Sequence, residues 1–460
     1  MRRAGRIGLI GSMLLAAAGV GVGAAIAGRP AGSPAAAFPG AAGWAAQTPG
    51  GRGGRIIRVT NLRATGAGSF RAAVEAKGPR IVVFEVGGVI DLGRTSLAIT
   101  EPFLTIAGQT APSPGITIIR GGIDLRAHDA IVRHIRIRTG VDGQPPRSGW
   151  EADAFSTITA HHVIVDHCTM SWALDENLSA SGPRFAGATP AEWRQNTSHD
   201  VTFSYNLLAE GIAHGSHPKG EHSKGSLIHD NAGGILIYRN IYAHHVERSP
   251  LLKGGVQAVL VNNLIYDPGL RAVHYNLMAL EWAGHPYQPG ELSAVGNVLR
   301  GGPSTDERLP FLMLGGDGDL HYYGRDNLAV DRHGAPLPMF GRYGETRARL
   351  IERSKPGIWP AGLPVLPARD VETHLLANAG ARPWDRDAHD LRVLFFIAEG
   401  RGEIIDDEKQ VGGYPAFEET RAPFVEADWD LATMEPRSGI YPGQKGAIQE
   451  DLSDRDRAMR

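Results

Sequence analysis

Short runs of β-branched and aliphatic residues recur through the middle of the chain and constrain its fold more than any other feature. The runs occupy residues 81–84, 104–106, 116–119, 130–132, 162–165, 201–203, 235–238, 259–261 and 292–295. Turn residues separate them, with no convincing helix of about 10–15 residues in between. Strands that alternate with helices would indicate a doubly wound sheet, whereas strand after strand predicts an all-β solenoid.

A repeated asparagine supports the solenoid. Asn206, Asn240, Asn263 and Asn297 each precede two apolar residues at the end of a strand run, and Asn327 fits less tightly. Stacked coils place equivalent residues above one another, so the side-chain amide of one asparagine can bond to the next. Asparagine also favours turns in general, but the shared apolar sequel favours a ladder.

We therefore predict an all-β fold, a right-handed, single-stranded parallel β-helix with an irregular C-terminal extension. Residues 1–36 are assigned to a signal peptide and short linker, and residues 37–330 to the solenoid, with regular strands from about residue 80. Residues 331–460 form the extension, packed on the solenoid and ending in a polar tail. The clearest helical segment is 66–76, with Ser69 as its N-cap.

The N-terminus has the composition of an export signal. A basic segment with three arginines precedes a run at residues 7–27 that is almost all apolar, alanine or glycine. Cleavage is expected after Ala27 or among residues 35–37. An uncleaved membrane anchor and a twin-arginine signal are alternatives. We predict a secreted or periplasmic protein, with no membrane association in its mature form.

Composition narrows the partners. The formal net charge is −2, so no global basic field exists to bind nucleic acid, and any attraction for a polyanion must be local. The single cysteine, Cys168, cannot form an intrachain disulfide and is expected to be a small buried residue. We expect a monomer, by analogy with other solenoids.

Two cations flank a proline within residues 244–255. Arg248 lies two residues before Pro250 and five before Lys253, at a junction between predicted strands. The proline fixes φ, so a rigid turn can point both cations the same way. This pattern suits a polyanionic ligand; a solvated turn is the alternative.

Acidic residues form two short clusters. Glu151 and Asp153 face the same side of an extended segment, and Asp175 and Glu176 follow the next predicted strand. Neighbouring coils can bring Asp153 beside Asp175 or Glu176, where a hard cation would relieve their repulsion. Oxygen-only ligation favours Ca²⁺ over Mg²⁺. Acids on surface turns are the alternative.

Histidines and lysines share the next polar segment. His214, His217 and His222 raise the alternative of zinc, but their spacing matches no common ligand set, and glycines and a proline break any helix. We therefore disfavour zinc. Lys219 and Lys224 add cations to the same segment.

The order of these motifs resembles the pectate lyase family, polysaccharide lyase family 1. The matching segments are Ala37-Phe38-Pro39-Gly40, residues 50–54, Asp153-Ala154, residues 163–168, Asp175-Glu176-Asn177, Ser204-Tyr205-Asn206, residues 223–228 and Arg248-Ser-Pro250-Leu-Leu-Lys253. Each motif alone is weak, but their order and spacing over residues 37–330 are specific. The irregular tail is similar to that of related bacterial members, so the resemblance indicates a secreted bacterial protein.

The resemblance implies Ca²⁺-dependent β-elimination on α-1,4-linked polygalacturonate. Arg248 matches the catalytic base of the family and Lys224 its substrate-binding lysine. Lys253 stands where the family usually has a second arginine, and Lys219 is a further candidate for substrate binding. Because lysine lacks the bidentate fork of arginine, the grip on substrate would differ from the family norm.

The calcium ligands carry over less completely. Asp153 and Asp175 match family ligands. The second acid of the later pair is not clearly present, since Ser179 stands at its spacing, so Glu176 is a nearby candidate. Glu151 would replace an additional acid. The unesterified polymer is expected as substrate because a methyl ester offers no charge to calcium or lysine.

Two other function classes stay open at this level. A β-helical glycoside hydrolase would use paired carboxylic acids, for which Asp175 and Glu176 are candidates. A non-catalytic β-helix would only bind polysaccharide, but it would have no need of a base at Arg248.

Overall fold

A computed structural model describes residues 35–444, so the predicted signal peptide and the end of the polar tail lie outside the described residues. Three long sheets dominate this part of the chain. The first sheet contains Arg55–Val59, Arg80–Phe84, Leu104–Ala107, Ala130–Arg133, His161–Asp166, His199–Ser204, Gly233–Tyr238, Gln257–Val261, Gly290–Val295, Leu320–Arg325 and Leu350–Glu352. The second contains Leu97–Ile99, Ile123–Leu125, Phe155–Ile158, Leu178–Ser181, Leu227–Ile228, Leu251–Lys253, Val273–Leu277, Leu312–Gly316 and Phe340–Arg342. The third contains Val86–Asp91, Ile116–Ile119, Arg136–Arg138, Thr169–Ser171, Leu207–Ala209, Ile241–Ala243, Leu264–Tyr266, Val298–Arg300, Leu328–Val330 and Thr420–Arg421.

Helices are few in the described residues. The α-helices are Phe70–Val74, Pro190–Gln195, Ala368–Asn378 and Ala388–Glu399, and the 3₁₀ turns are Gly108–Thr110, Glu408–Val411 and Glu426–Asp428. A two-stranded ribbon pairs Trp429–Asp430 with Glu435–Pro436. No helix among residues 35–444 combines the length and apolarity needed to cross a membrane.

The strands pair in parallel from one coil to the next, which confirms the predicted all-β parallel β-helix. Each coil contributes in turn to the three sheets, and the added strand Thr420–Arg421 pairs antiparallel with Val86–Asp91. In the first sheet, Val132, Val165, Phe203, Ile237 and Leu260 occupy one register row and are buried. Such rows stack apolar side chains along the axis, and they form the core of the solenoid.

The predicted asparagine ladder is present and buried at its centre. Asn240 Oδ1 accepts hydrogen bonds of 2.9 Å from both the backbone N and Nδ2 of Asn206. Asn240 bonds in the same way to Asn263, and the ladder continues through Asn297 to Asn327. The amides thereby satisfy backbone groups that the turns would otherwise leave unpaired.

The position and burial of the single cysteine, Cys168, follow from the turn that contains the asparagine ladder. Cys168 N donates a 2.9 Å hydrogen bond to Asn206 Oδ1, so Cys168 occupies the ladder position one coil earlier, fully buried as predicted. The residue before each position adopts the left-handed conformation, with φ of 48° at His167 and 53° at Tyr205. This conformation turns the chain from a strand of the first sheet into a strand of the third sheet.

Helical segments cap and flank the solenoid. The predicted N-cap is confirmed, because Ser69 Oγ accepts a 3.2 Å hydrogen bond from Ala72 N. Ala368–Asn378 and Ala388–Glu399 bury an apolar face against the third sheet. Beside them, Arg138 donates hydrogen bonds of 2.6 and 2.9 Å to Asp387, in a network with no solvent access to the guanidinium.

Candidate active site

A row of alternating charge precedes the strands of the second sheet. Lys224 forms isolated parallel bridges with Glu176 on one side and Glu247 on the other. The three residues come from consecutive coils, so the row reads negative, positive, negative along the solenoid axis. All three are buried, so each charge needs a partner: Lys224 pairs with Glu247, and Glu176 pairs with Arg248.

Arg248 follows this row and reaches back across it. Its guanidinium pairs with the buried carboxylate of Glu176, and Nε lies 3.8 Å from Glu247 Oε1. Its backbone φ is 66°, in the left-handed region that a non-glycine residue seldom adopts. Burial lowers the pKa of Arg248, against the opposing charges of Asp175 and Asp153.

Three carboxylates converge beside Arg248. Asp153, Asp175 and Glu176 each place an oxygen within 4.8 Å of the other two. Asp153 Oδ1 accepts a 2.9 Å hydrogen bond from Glu176 N, and the Ser156 hydroxyl donates to its other oxygen. Sequence reasoning predicted this convergence, which two neighbouring coils produce.

The charge of this cluster is only partly balanced. Burial, followed by repulsion from Asp175, raises the pKa of Asp153 to about 8. At Asp175 burial acts in the same direction, but hydrogen bonding and the charge of His222 outweigh it and lower the pKa. A set of oxygen donors whose crowding disfavours full ionisation fits a hard divalent cation, so the residues are compatible with Ca²⁺.

Glu151 lies at the edge of the cluster beside two histidines. Its Oε2 is 2.9 Å from His217 Nε2, and its side chain is about half exposed, at 49%. His222 Nε2 is 3.2 Å from Asp175 Oδ1. Two of the three histidines that we disfavoured as zinc ligands, His217 and His222, thus lie against the predicted calcium ligands, whereas His214 is exposed and pairs with Asp406.

Two of the predicted substrate lysines, Lys219 and Lys253, line a groove with Arg248 that has a free volume of about 310 Å³, whereas Lys224 lies outside the lining of this groove. Lys224 is buried, and its Nζ donates a 2.6 Å hydrogen bond to Glu247 Oε1. Lys253 Nζ donates at 2.5 Å to Glu281 Oε2. Lys219 is exposed at the rim.

Several groove residues escaped the sequence analysis. They are Glu247, Arg271, His274, Glu281 and Tyr343. Arg271 pairs with Glu247 and lies over the ring of Tyr343, 4.6 Å from its centroid. Burial lowers the pKa of His274 to about 3, so this histidine is neutral near pH 7. Glu247 directly precedes Arg248 in the sequence, but no sequence pattern indicated that its carboxylate pairs with both Lys224 and Arg271.

Comparison with known proteins places the chain among curated relatives. No model of a known protein family matches it. It is 36% identical over 405 residues to "Probable pectate lyase C" of Aspergillus terreus, covering 86% of this chain and 85% of the relative. It is 34% identical over 432 residues to the protein of the same name from Emericella nidulans, covering 91% and 89%. These relatives are fungal, although the resemblance had indicated a bacterial protein.

Solved structures share the fold at low sequence identity. The major cedar pollen allergen jun a 1 matches with a TM-score of 0.51 and 15% identity, over 74% of this chain and 92% of the allergen. A pectate lyase bound to hexasaccharide matches with a TM-score of 0.51 and 14% identity, over 75% and 97%. These similarities support the parallel β-helix, and the curated relatives show the family. The chain belongs to the pectate lyase family of polysaccharide lyases.

Proposed function

We propose that this protein cleaves α-1,4-linked polygalacturonate by Ca²⁺-assisted β-elimination, with Arg248 as the base. The observation that carries the proposal is the placement of Arg248 beside an oxygen-rich acid cluster, in a groove that Lys253 also lines. The relatives named pectate lyase C support the same reaction.

The reaction requires removal of the proton on C5, next to the uronate carboxylate. Asp153, Asp175 and Glu176, with Glu151 at the edge, would hold the calcium ion. When bound, calcium supplies positive charge that stabilises the negative charge developing on the substrate carboxylate. Lys224 and Lys253 would bind substrate carboxylates as point charges, with Lys219 assisting at the rim.

An arginine base needs a physical explanation because a guanidinium ordinarily keeps its proton. Burial already lowers the pKa of Arg248. Glu176 stabilises the protonated guanidinium in this geometry. If Glu176 held calcium, it would stabilise the protonated guanidinium less, and Arg248 would release its proton more readily.

We also propose the location, domain organisation and partners of the enzyme from its sequence. We propose an exported protein with a signal peptide within residues 1–36, a solenoid over 37–330 and a C-terminal extension over 331–460. Two strands, Phe340–Arg342 and Leu350–Glu352, continue the sheets into the extension. We propose that it acts as a monomer on acidic cell-wall polysaccharide, without binding nucleic acid or membrane.

The test is ultraviolet absorbance on mixing purified protein with polygalacturonate, first with Ca²⁺ and then with chelator. Elimination leaves a double bond conjugated to the carboxylate, so absorbance should rise with Ca²⁺ and stop with chelator. Arg248→Ala should abolish the rise but retain polymer binding, whereas Arg347→Ala, at an arginine 89% exposed, should change neither. New reducing ends without a rise in absorbance would indicate hydrolysis. The absence of both signals would contradict the proposal.

A further inference from the structure

His217 and His222 form a buried pair that the proposed reaction does not use. Their rings stack with centroids 3.5 Å apart and planes 19° apart. His217 Nε2 lies 2.9 Å from Glu151 Oε2 and 3.7 Å from Asp175 Oδ2. Both imidazoles therefore face the outer side of the carboxylate cluster.

The hydrogen bonds of His222 direct its Nε2 at a carboxylate. Its Nδ1 lies 2.9 Å from the carbonyl oxygen of Glu221, which can only accept, so Nδ1 carries the hydrogen. Its Nε2 lies 3.2 Å from Asp175 Oδ1; in the metal-free protein Nε2 can hold a proton donated to this carboxylate, and a metal bound there would replace that proton. Two acceptors at that distance require a proton or a cation between them.

His217 supplies a second, independent indication. The ring is 1% exposed, and its Nε2 has no hydrogen-bond partner despite its closeness to two carboxylates. Lys219 N donates to His217 Nδ1, so a neutral, metal-free ring carries its proton on Nε2; His217 would bind a metal only after that proton moves and the contact with Lys219 opens. His222 has no such restriction and is the primary nitrogen donor.

We propose that His222, His217 and Asp175 form a mixed nitrogen–oxygen site for a divalent transition metal of the manganese-to-zinc series. Each of the three offers a donor atom within 4.8 Å of the other two. Imidazole with carboxylate favours these metals, whereas the oxygen-only set with Asp153 and Glu176 favours calcium. Asp175 belongs to both sets, so the two cations would be adjacent.

The donation from His222 Nδ1 to a backbone carbonyl fits this role. Metal-binding histidines usually donate their second ring N–H to a carbonyl or carboxylate, which fixes the tautomer and orients the ring. The close spacing of His217 and His222 arises within one loop, although their separation in sequence matches no common zinc motif. The inference goes beyond the proposed function and does not depend on the elimination reaction.

The experiment uses the full-length protein, stripped with chelator, saturated with Ca²⁺ and given one equivalent of Cu²⁺ as the probe. Electron paramagnetic resonance should show ¹⁴N coupling from imidazole. His222→Gln should remove or reduce that coupling and weaken Cu²⁺ affinity roughly tenfold or more. His214→Gln is the matched control, because His214 lies in the same loop but is 61% exposed and pairs with Asp406.

Two further variants keep the test decisive. His161→Gln identifies coupling from a separate histidine stack formed with His128 and His199, and it should leave the signal unchanged. Circular dichroism establishes that each variant is folded, and His217→Gln provides a second route if His222→Gln is not. Absence of ¹⁴N coupling in the wild type, or equal coupling in both loop variants, would overturn the inference and favour a proton between His222 and Asp175.

Failure here is distinguishable from failure of the proposed function. Calcium-dependent elimination without ¹⁴N coupling leaves the lyase assignment intact and removes the second metal site. Nitrogen coupling lost in His222→Gln, in a protein that eliminates nothing, supports the metal site and removes the lyase assignment.

Discussion

Glu247 Oε1 accepts a 2.6 Å hydrogen bond from Lys224 Nζ, while the other oxygen of Glu247 pairs with Arg271. One carboxylate thereby fixes two cations from different coils, of which Arg271 lines the groove and Lys224 is buried. The Lys224 side chain is only 7% exposed, so solvent cannot replace this partner.

Loss of that carboxylate should destabilise the protein. Glu247→Gln removes the charge that compensates two cations, and breaking a buried pair costs about 3 kcal/mol or more. We expect a matching fall in the free energy of unfolding, measured in urea with activity and fluorescence as parallel probes. Glu281→Gln, at a carboxylate 30% exposed, should cost less than about 1 kcal/mol. Equal costs would contradict the structural role of Glu247.

The same residue should give stability a defined acid dependence. Burial would raise the pKa of Glu247, but the charges of His274, which is itself protonated only in acid, and of Lys224 and Arg271 outweigh it and lower the pKa to about 2. A depressed carboxylate pKa contributes stability above the unfolded value of about 4.3, and this contribution is lost as pH falls towards 2. Urea midpoints between these pH values should fall less steeply in Glu247→Gln than in the wild type. Parallel profiles would disprove the linkage.

Removal of the Glu281 charge should strengthen substrate binding. Glu281 competes for Lys253 with any substrate carboxylate, and Arg184 also lies 3.4 Å from Glu281. Glu281→Gln should lower KM for unesterified polygalacturonate by roughly two- to fivefold, the range of a partly exposed ion pair, with kcat little changed. Glu291→Gln, which loses a pair with His321 outside the groove, is the control. A raised KM would show that Glu281 positions Lys253 for the substrate.

The asparagine ladder should contribute unequally along its length. Asn240 is fully buried and donates to Phe203 O at 2.9 Å as well as joining its two ladder neighbours. Asn240→Ala leaves several buried backbone groups unpaired, so a loss of about 3 kcal/mol is expected from thermal or urea unfolding. Asn327→Ala, at the half-buried end of the ladder, should cost about 1 kcal/mol. Equal losses of unfolding free energy in the two variants would contradict the view that central ladder residues satisfy more buried hydrogen-bonding groups than the terminal one.

Local repetition explains why the fold could be predicted from sequence. The positions of Asn240 and Asn263 in equivalent turns could be predicted because each asparagine is followed by two apolar residues. The helix Ala388–Glu399 was not predicted because its pattern does not repeat along the chain. Its apolar face is buried only by packing against the third sheet.

The candidate site was predictable only in part. Asp153 and Asp175 could be brought together from strand order, and Arg248 from its spacing to Pro250. The partners Glu281 and Arg271 could not, since they pair across coils over 28 and 24 positions in the sequence. No local pattern carries such contacts, which depend on how far each loop extends.

The row formed by Glu176, Lys224 and Glu247 also limits how this solenoid can change in evolution. Coils can be gained or lost at an end of such a stack without disturbing the pairs elsewhere. Loss of the coil that carries Lys224 would instead set two carboxylates side by side at the strand spacing of about 4.8 Å. Insertions and deletions at this point should therefore survive only when they preserve the alternation of charge. The charge row thus restricts the number of coils that can be inserted or deleted at this point of the solenoid.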